Sequence, residues 1–226
     1  MVARIIAISG AQSTGKSTLL EALRAKGHHV DSFKAARYVL KEMDLPLYEI
    51  NKNVELTKTF QKRILELKYK NDLELKYKYG PEDIVFVERY PGDIFAFAKI
   101  WAKGLRDDDF SKWIDITFYS DCKTFSNIYD ACFILPSGKI AHEYDGIRAK
   151  EDTQFDVDDW IKHFTARHWC DINFVHPRFY NTTIQNCDII KRVEEVEKAV
   201  EEAKEYYDSG IDGFYKSIKK SAVSSM

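Results

Sequence analysis

Gly10, Gly15, Lys16 and Ser17 fall in the stretch GAQSTGKS, which fits the pattern G-x4-G-K-[ST]. A glycine at position 10 lets the chain turn sharply, and Gly15 lets backbone approach an anion with no Cβ in the way. The amides of residues 13–18, those of Ser13, Thr14 and Thr18 among them, would converge at a helix N-terminus, where the dipole favours negative charge. Lys16 would reach β- and γ-phosphates, the Ser17 hydroxyl would ligate Mg²⁺, and Thr18 adds an α-phosphate contact. By chance the pattern arises in a chain of this length about once in a hundred. The expected ligand is a nucleoside triphosphate.

FVERYPGDIFAFA supplies a second group of chemical residues. Glu88 closes an apolar run, so its carboxylate can face the γ-phosphate and a metal. There it either accepts a proton from an attacking hydroxyl or holds the magnesium hydration shell. Arg89 offers a bidentate fork to a phosphate or substrate oxygen; the bland alternative is a strand-end Glu–Arg pair. Asp93 reads as a cap of the next helix. The guanine-reading NKxD is absent, as is the strand ending in paired acids that a ring ATPase carries. His163, His168, His176 and Cys170 lack zinc spacing.

The elements that must hold these residues alternate along the chain. ARIIAIS (3–9), DIVFVER (83–89) and YDACFIL (129–135) are apolar runs of the kind buried on both faces of a sheet. HHVDSF (28–33) and INFVH (172–176) are further expected strands. Helical patterns follow the glycine loop and cover about 34–43, 54–79, 93–103, 108–125, 156–168 and 191–207. The hexapeptide LELKYK occurs twice, at 65–70 and 73–78, on one long helix read as an amphipathic Leu/Tyr stripe. Such alternation predicts an α/β fold with a parallel sheet flanked by helices. Residues 136–154 are rich in charge and glycine and read as a mobile flap, and residues 216–226 as a frayed tail. No composition break divides residues 1–226, so one domain is expected.

With 45% hydrophobic and 31% charged residues the chain is ordinary for a globular protein. A net charge of −2 argues against a nucleic-acid coat or a polybasic membrane binder. The four cysteines show no CxxC pairing, as reduced thiols would not. A cytoplasmic protein without membrane attachment is expected, and a homodimer is compatible with everything read so far.

GAQSTGKSTLLEAL resembles the P-loop of the NadR-like, or ribosylnicotinamide kinase-like, P-loop kinases. VERYPGDIFAFA is similar to the matching strand and helix of nucleoside and thymidylate kinases, and FILPSGKIAHEYDGIRAKED to the flap of the same group, which abounds in phage genomes. The likeness covers residues 3–165 and implies a P-loop NTPase fold of the nucleoside/nucleotide kinase kind. It implies Lys16, Ser17 and Thr18 for ATP and Mg²⁺, Glu88 as base or metal-side carboxylate, Arg89 for substrate, and Arg148 as a flap arginine swinging onto the phosphoryl group. Lys139, Asp145 and Lys150 are weaker candidates in the same flap. Where family members place a Glu after the second strand, this chain has Lys34. It suits an acceptor that already carries a phosphate, with Arg37 one turn along, or else it points to solvent. Phe60 and Gln61 resemble an aromatic–polar pair facing a base, or are packing. The implied acceptor is a nucleoside, nicotinamide riboside among them, or a nucleotide, and the charges of Lys34, Arg37 and Arg89 slightly favour a deoxynucleoside monophosphate; the alternatives are a kinase of hydroxyls within DNA and a non-catalytic ATP-sensing module.

Overall fold

The run at residues 4–9 forms β1 (Arg4–Ser9), and all of it beyond Arg4 is buried. The computed structural model describes residues 2–139, 153–173 and 179–208. Within them β1 is central, in the parallel order β2–β3–β1–β4–β5, with β2 His29–Asp31, β3 Ile84–Glu88, β4 Ala131–Ile134 and β5 Tyr180–Thr183. The period of two sorts side chains cleanly. Ile6, Ile8, Phe86 and Phe133 meet α1 (Lys16–Ala25) and α9 (Ile189–Asp208) through Leu19, Leu20, Leu23, Val193, Val196 and Val200. Ile5, Ala7, Val85 and Val87 meet the opposite layer. That layer contains α4 (Val54–Lys78), α5 (Pro91–Leu105), α7 (Tyr119–Ser126) and α8 (Thr153–Asn173). Two short helices, α2 (Ala35–Met43) and α3 (Leu47–Ile50), link β2 to α4, and α6 (Asp108–Trp113) joins α7 through a π-helical turn at Ile114–Phe118.

Two expectations need correction. The expected strand does not begin at Ile172: Ile172 and Asn173 still belong to α8, residues 174–176 lie outside the described residues, and the last described strand is the polar segment YNTT of β5. Among the described residues β5 pairs only with β4, and all four of its residues are half-buried, so it needs no apolar run to sit at the sheet edge. The second correction concerns the Leu/Tyr stripe of α4. Its buried face carries Phe60, Ile64 and Leu65 but also the polar Thr57, Gln61, Lys68 and Asp72, whereas Tyr77 is exposed. Asn53 caps this helix by accepting from the Leu56 amide at 3.0 Å. Among the described residues no helix is long and apolar enough to cross a membrane.

The sheet places the chemistry by register. Ile8 lies opposite Glu88, and the Arg89 amide donates to the Ile8 carbonyl at 2.9 Å. The glycine loop and the end of β3 therefore leave the sheet side by side. The chain leaves β1 toward β2 and leaves β3 toward β4, so the crevice between them is the switch point at which such sheets bind ligands.

Candidate active site

Gly10 has φ 141°, and a Cβ added there would lie 2.5 Å from the Leu135 carbonyl oxygen. Only glycine fits this exit from β1. Gly15, at φ 82°, caps α1. Between them Lys16 is folded back on its own loop. Its Nζ donates to the Gly10 carbonyl at 2.9 Å, to the Ala11 carbonyl, and to Thr14 Oγ1 at 3.2 Å. Burial lowers the Lys16 pKa to about 7; the Arg89 charge lowers it further, while Asp93 and Glu88 oppose.

Glu88 is 6% exposed. Burial pushes its carboxyl upward, but the charges of Arg89, Lys34 and Lys16 outweigh this and hold it below the usual carboxylate range. Lys34 is an exposed residue, yet its ammonium turns back to the site. Its ammonium pairs with the Glu88 carboxylate and donates to Ser17 Oγ at 3.3 Å. One cation thus already bridges the hydroxyl and the carboxylate singled out for magnesium. The pair is a hard oxygen donor set that accommodates positive charge, so the residues present fit the ion. Ser17 and Glu88 are the residues that would hold it.

Arg89 takes a left-handed conformation at φ 66°. That conformation is costly for a residue with a Cβ, and it accompanies a guanidinium set 5.0 Å over the Phe97 ring and 3.2 Å from Asp93 Oδ1. Asp93 does more than cap α5. Fully buried, it accepts from the Tyr90 amide at 3.0 Å, from Ser9 Oγ at 2.6 Å and from the Gly10 amide at 3.3 Å. One carboxylate pins both strand exits.

A single cavity of about 700 Å³ joins these groups. Ser13, Thr14, Lys16, Ser17 and Thr18 line it together with Glu88 and Arg89, and Lys34, Arg37, Phe60 and Gln61 share the same wall. Phe60 stacks on Trp101 at 5.4 Å, and Phe33 and Phe97 also face the space. Arg148, Asp145 and Lys150 lie outside the described residues; Lys139 is described but does not line the cavity.

Two buried charges in the cavity wall were missed from sequence. Lys68 on α4 is 2% exposed, and Arg192 on α9 is 1% exposed. Arg192 donates through Nη1 to the Thr14 carbonyl at 2.9 Å and through Nε to the Asn186 carbonyl at 2.7 Å, bracing the glycine loop against the loop after β5. The available signal was a cation inside each apolar helical stripe, which reads more simply as a solvated flank.

Comparison with known proteins follows the same lines. NadR in complex with NAD and AMP-PNP superposes with a TM-score of 0.58 at 16% identity, covering 87% of this chain and 49% of that one. The chain therefore spans about half the length of NadR. Deoxyadenosine kinase from M. mycoides with bound dATP gives 0.58 at 17% identity over 87% and 99% of the two chains. Thymidylate kinase from Candida albicans gives 0.58 at 13% identity over 90% and 93%. At such identities the likeness is one of fold: a P-loop NTPase with a five-stranded parallel sheet flanked by helices. No curated protein matches the chain. A family model described as an AAA domain spans residues 5–178. With well over half of its length accounted for in this way, the chain belongs to the AAA-domain family.

Proposed function

We propose that this protein is an ATP- and Mg²⁺-dependent kinase that transfers the γ-phosphoryl group to a small nucleoside or nucleotide, with a deoxynucleoside monophosphate as the favoured acceptor. The supporting observation is the continuity of the cavity: an anion-binding loop opens, past Glu88 and Arg89, into a slot walled by Phe33, Phe60, Phe97 and Trp101. A hydrolytic machine needs room for water beyond the γ-phosphate. A kinase needs an apolar, flat-walled seat for a second molecule, held in line.

The loop amides and Lys16 take the triphosphate, Lys16 leaving the carbonyls of Gly10 and Ala11 to do so. A bound magnesium ion would neutralise charge on the phosphate oxygens. Arg89, already turned into the cavity, stabilises charge spreading over the transferring group. Glu88 is a weak base, because its neighbours keep it ionised. A weak base suits an acceptor that brings its own ionised oxygen, and Lys34, Arg37 and Arg89 add more positive charge than a neutral sugar requires. Both points favour a monophosphate over a nucleoside. Arg148 and Asp145 are proposed to act from the flap, and the site as a whole is proposed to work in the cytoplasm on small molecules.

The test is mass spectrometry of products after incubation with ATP·Mg²⁺ and a mixed panel of nicotinamide riboside, deoxynucleosides, their monophosphates and a short oligonucleotide. Diphosphates are expected. Phosphorylated nucleosides with untouched monophosphates would reverse the acceptor assignment, and a panel left wholly unmodified would refute the kinase reading.

A further inference from the structure

The aromatic slot is bounded by two polar side chains whose hydrogen-bonding capacity is not filled among the described residues. Gln61 is 1% exposed and its amide has no hydrogen-bond partner among the described residues. Lys68 is equally enclosed, and among the described residues its ammonium meets only Asp72 Oδ2, at 2.5 Å. Two of its three N–H donors are left over. Gln61, Ile64 and Lys68 are spaced i, i+3, i+7, which puts them on one face of α4, and all three line the cavity.

Lys68 is also held in place. Asp72 Oδ2 accepts from Tyr129 Oη at 2.6 Å, and Oδ1 accepts from Asn71 Nδ2 at 3.1 Å. The carboxylate is fully engaged and fixed, so the ammonium has nothing further to turn to within the triad. A buried ion pair adds little net stability. A donor-rich cation at the wall of a flat apolar slot is, however, a reader of acceptor atoms. An ammonium donates and cannot accept. A ring carbonyl oxygen opposite it completes its hydrogen bonds; an exocyclic amino group opposite it sets N–H against N–H.

We propose that Lys68, with Gln61 beside it, makes the slot select acceptors whose base presents a carbonyl oxygen: 4-oxopyrimidines (uracil, thymine) or 6-oxopurines (guanine, hypoxanthine). The 4-amino and 6-amino counterparts are disfavoured. This deepens, and rests on, the kinase reading. Leaving a remaining N–H of this buried ammonium without an acceptor is costly enough for the preference to reach at least about tenfold.

The experiment has two readouts on the full chain. Acceptor binding is followed by fluorescence of the tryptophans, Trp101 lying in the slot, and transfer by kcat/KM with ATP·Mg²⁺. The probes are the four common deoxynucleoside 5′-monophosphates plus deoxyuridine and deoxyinosine monophosphates. The variants are Lys68→Arg, which keeps donors, and the double change Lys68→Met with Asp72→Asn, which removes the charge pair without stranding either partner. An oxo-over-amino preference of tenfold or more is expected in wild type and in Lys68→Arg, falling within about threefold in the double variant. Should the double variant not fold, the wild-type and Lys68→Arg preferences decide. Efficient transfer without an oxo preference, or a preference that survives the double change, overturns the assignment of Lys68 and leaves the kinase standing. Binding with the oxo preference but without transfer supports the assignment and sinks the kinase. No binding of any probe overturns both.

Discussion

Lys16 gives the most direct handle on the site. In the empty protein its pKa is near 7, because the ammonium is buried and faces Arg89. A triphosphate delivered to the loop supplies the missing negative charge and returns the group to full protonation. Binding must then draw a proton from solution. At pH 8 a group of pKa 7 is about 90% neutral, so uptake should be about 0.9 proton per nucleotide; at pH 6 it should fall to about 0.1. The same coupling makes affinity about tenfold weaker at pH 8 than for the fully charged lysine, about 1.4 kcal/mol, and a further tenfold weaker one unit higher. The assay is titration calorimetry with a non-hydrolysable ATP analogue in buffers of different ionisation enthalpy. The slope of observed heat against buffer enthalpy counts the protons, and Lys16→Met should abolish that count. A zero slope at pH 8 in wild type would refute the view that burial holds this lysine near neutrality.

Three further outcomes are expected. Glu88→Gln should lower transfer about 10- to 100-fold by weakening the carboxylate on the magnesium side, with part of the loss recovered at high magnesium, as measured by single-turnover kinetics across a magnesium titration. Gly10→Ala would press a methyl group against the Leu135 carbonyl, so nucleotide binding should be lost and the melting temperature reduced. His168 is buried beside Phe179, Phe164 and Tyr90, and burial, with Lys123 adding to it, lowers its pKa to about 4. The unfolded chain therefore binds the proton more tightly. The resulting stability is complete above pH 6.5 and is lost as the pH falls toward 4, about 3 kcal/mol in all; His168→Phe should flatten the melting temperature over that window.

The sequence announced the glycine loop because its residues have fixed tasks at fixed spacing, and it announced Glu88 because an apolar run ended there. That the run ending at Glu88 lies beside the strand before the glycine loop was legible, and Ile8 does face Glu88; the rest of the order was not, because the crossover from β1 to the distant β2 depends on nothing local. The two LELKYK copies show the limit most plainly. Lys68 in the first is sealed in the cavity wall with Asp72, while its equivalent Lys76 reaches Asp130 and the Ile128 carbonyl near the start of β4. Identical hexapeptides receive opposite surroundings because only tertiary packing decides which turn of α4 meets the slot. β5 stayed hidden for a related reason, since an edge strand has no second neighbour to demand apolar residues. Lys34 was ambiguous until the end of β2 was seen to deliver it to Ser17 and Glu88.

Asp93 has a mechanical corollary. Because one sealed carboxylate grips Ser9, Gly10, Tyr90 and Arg89 at once, the seat of the donor and the floor beneath the guest are welded into a single block. Removing that carboxylate would therefore loosen the glycine loop and the end of β3 together, and neither alone.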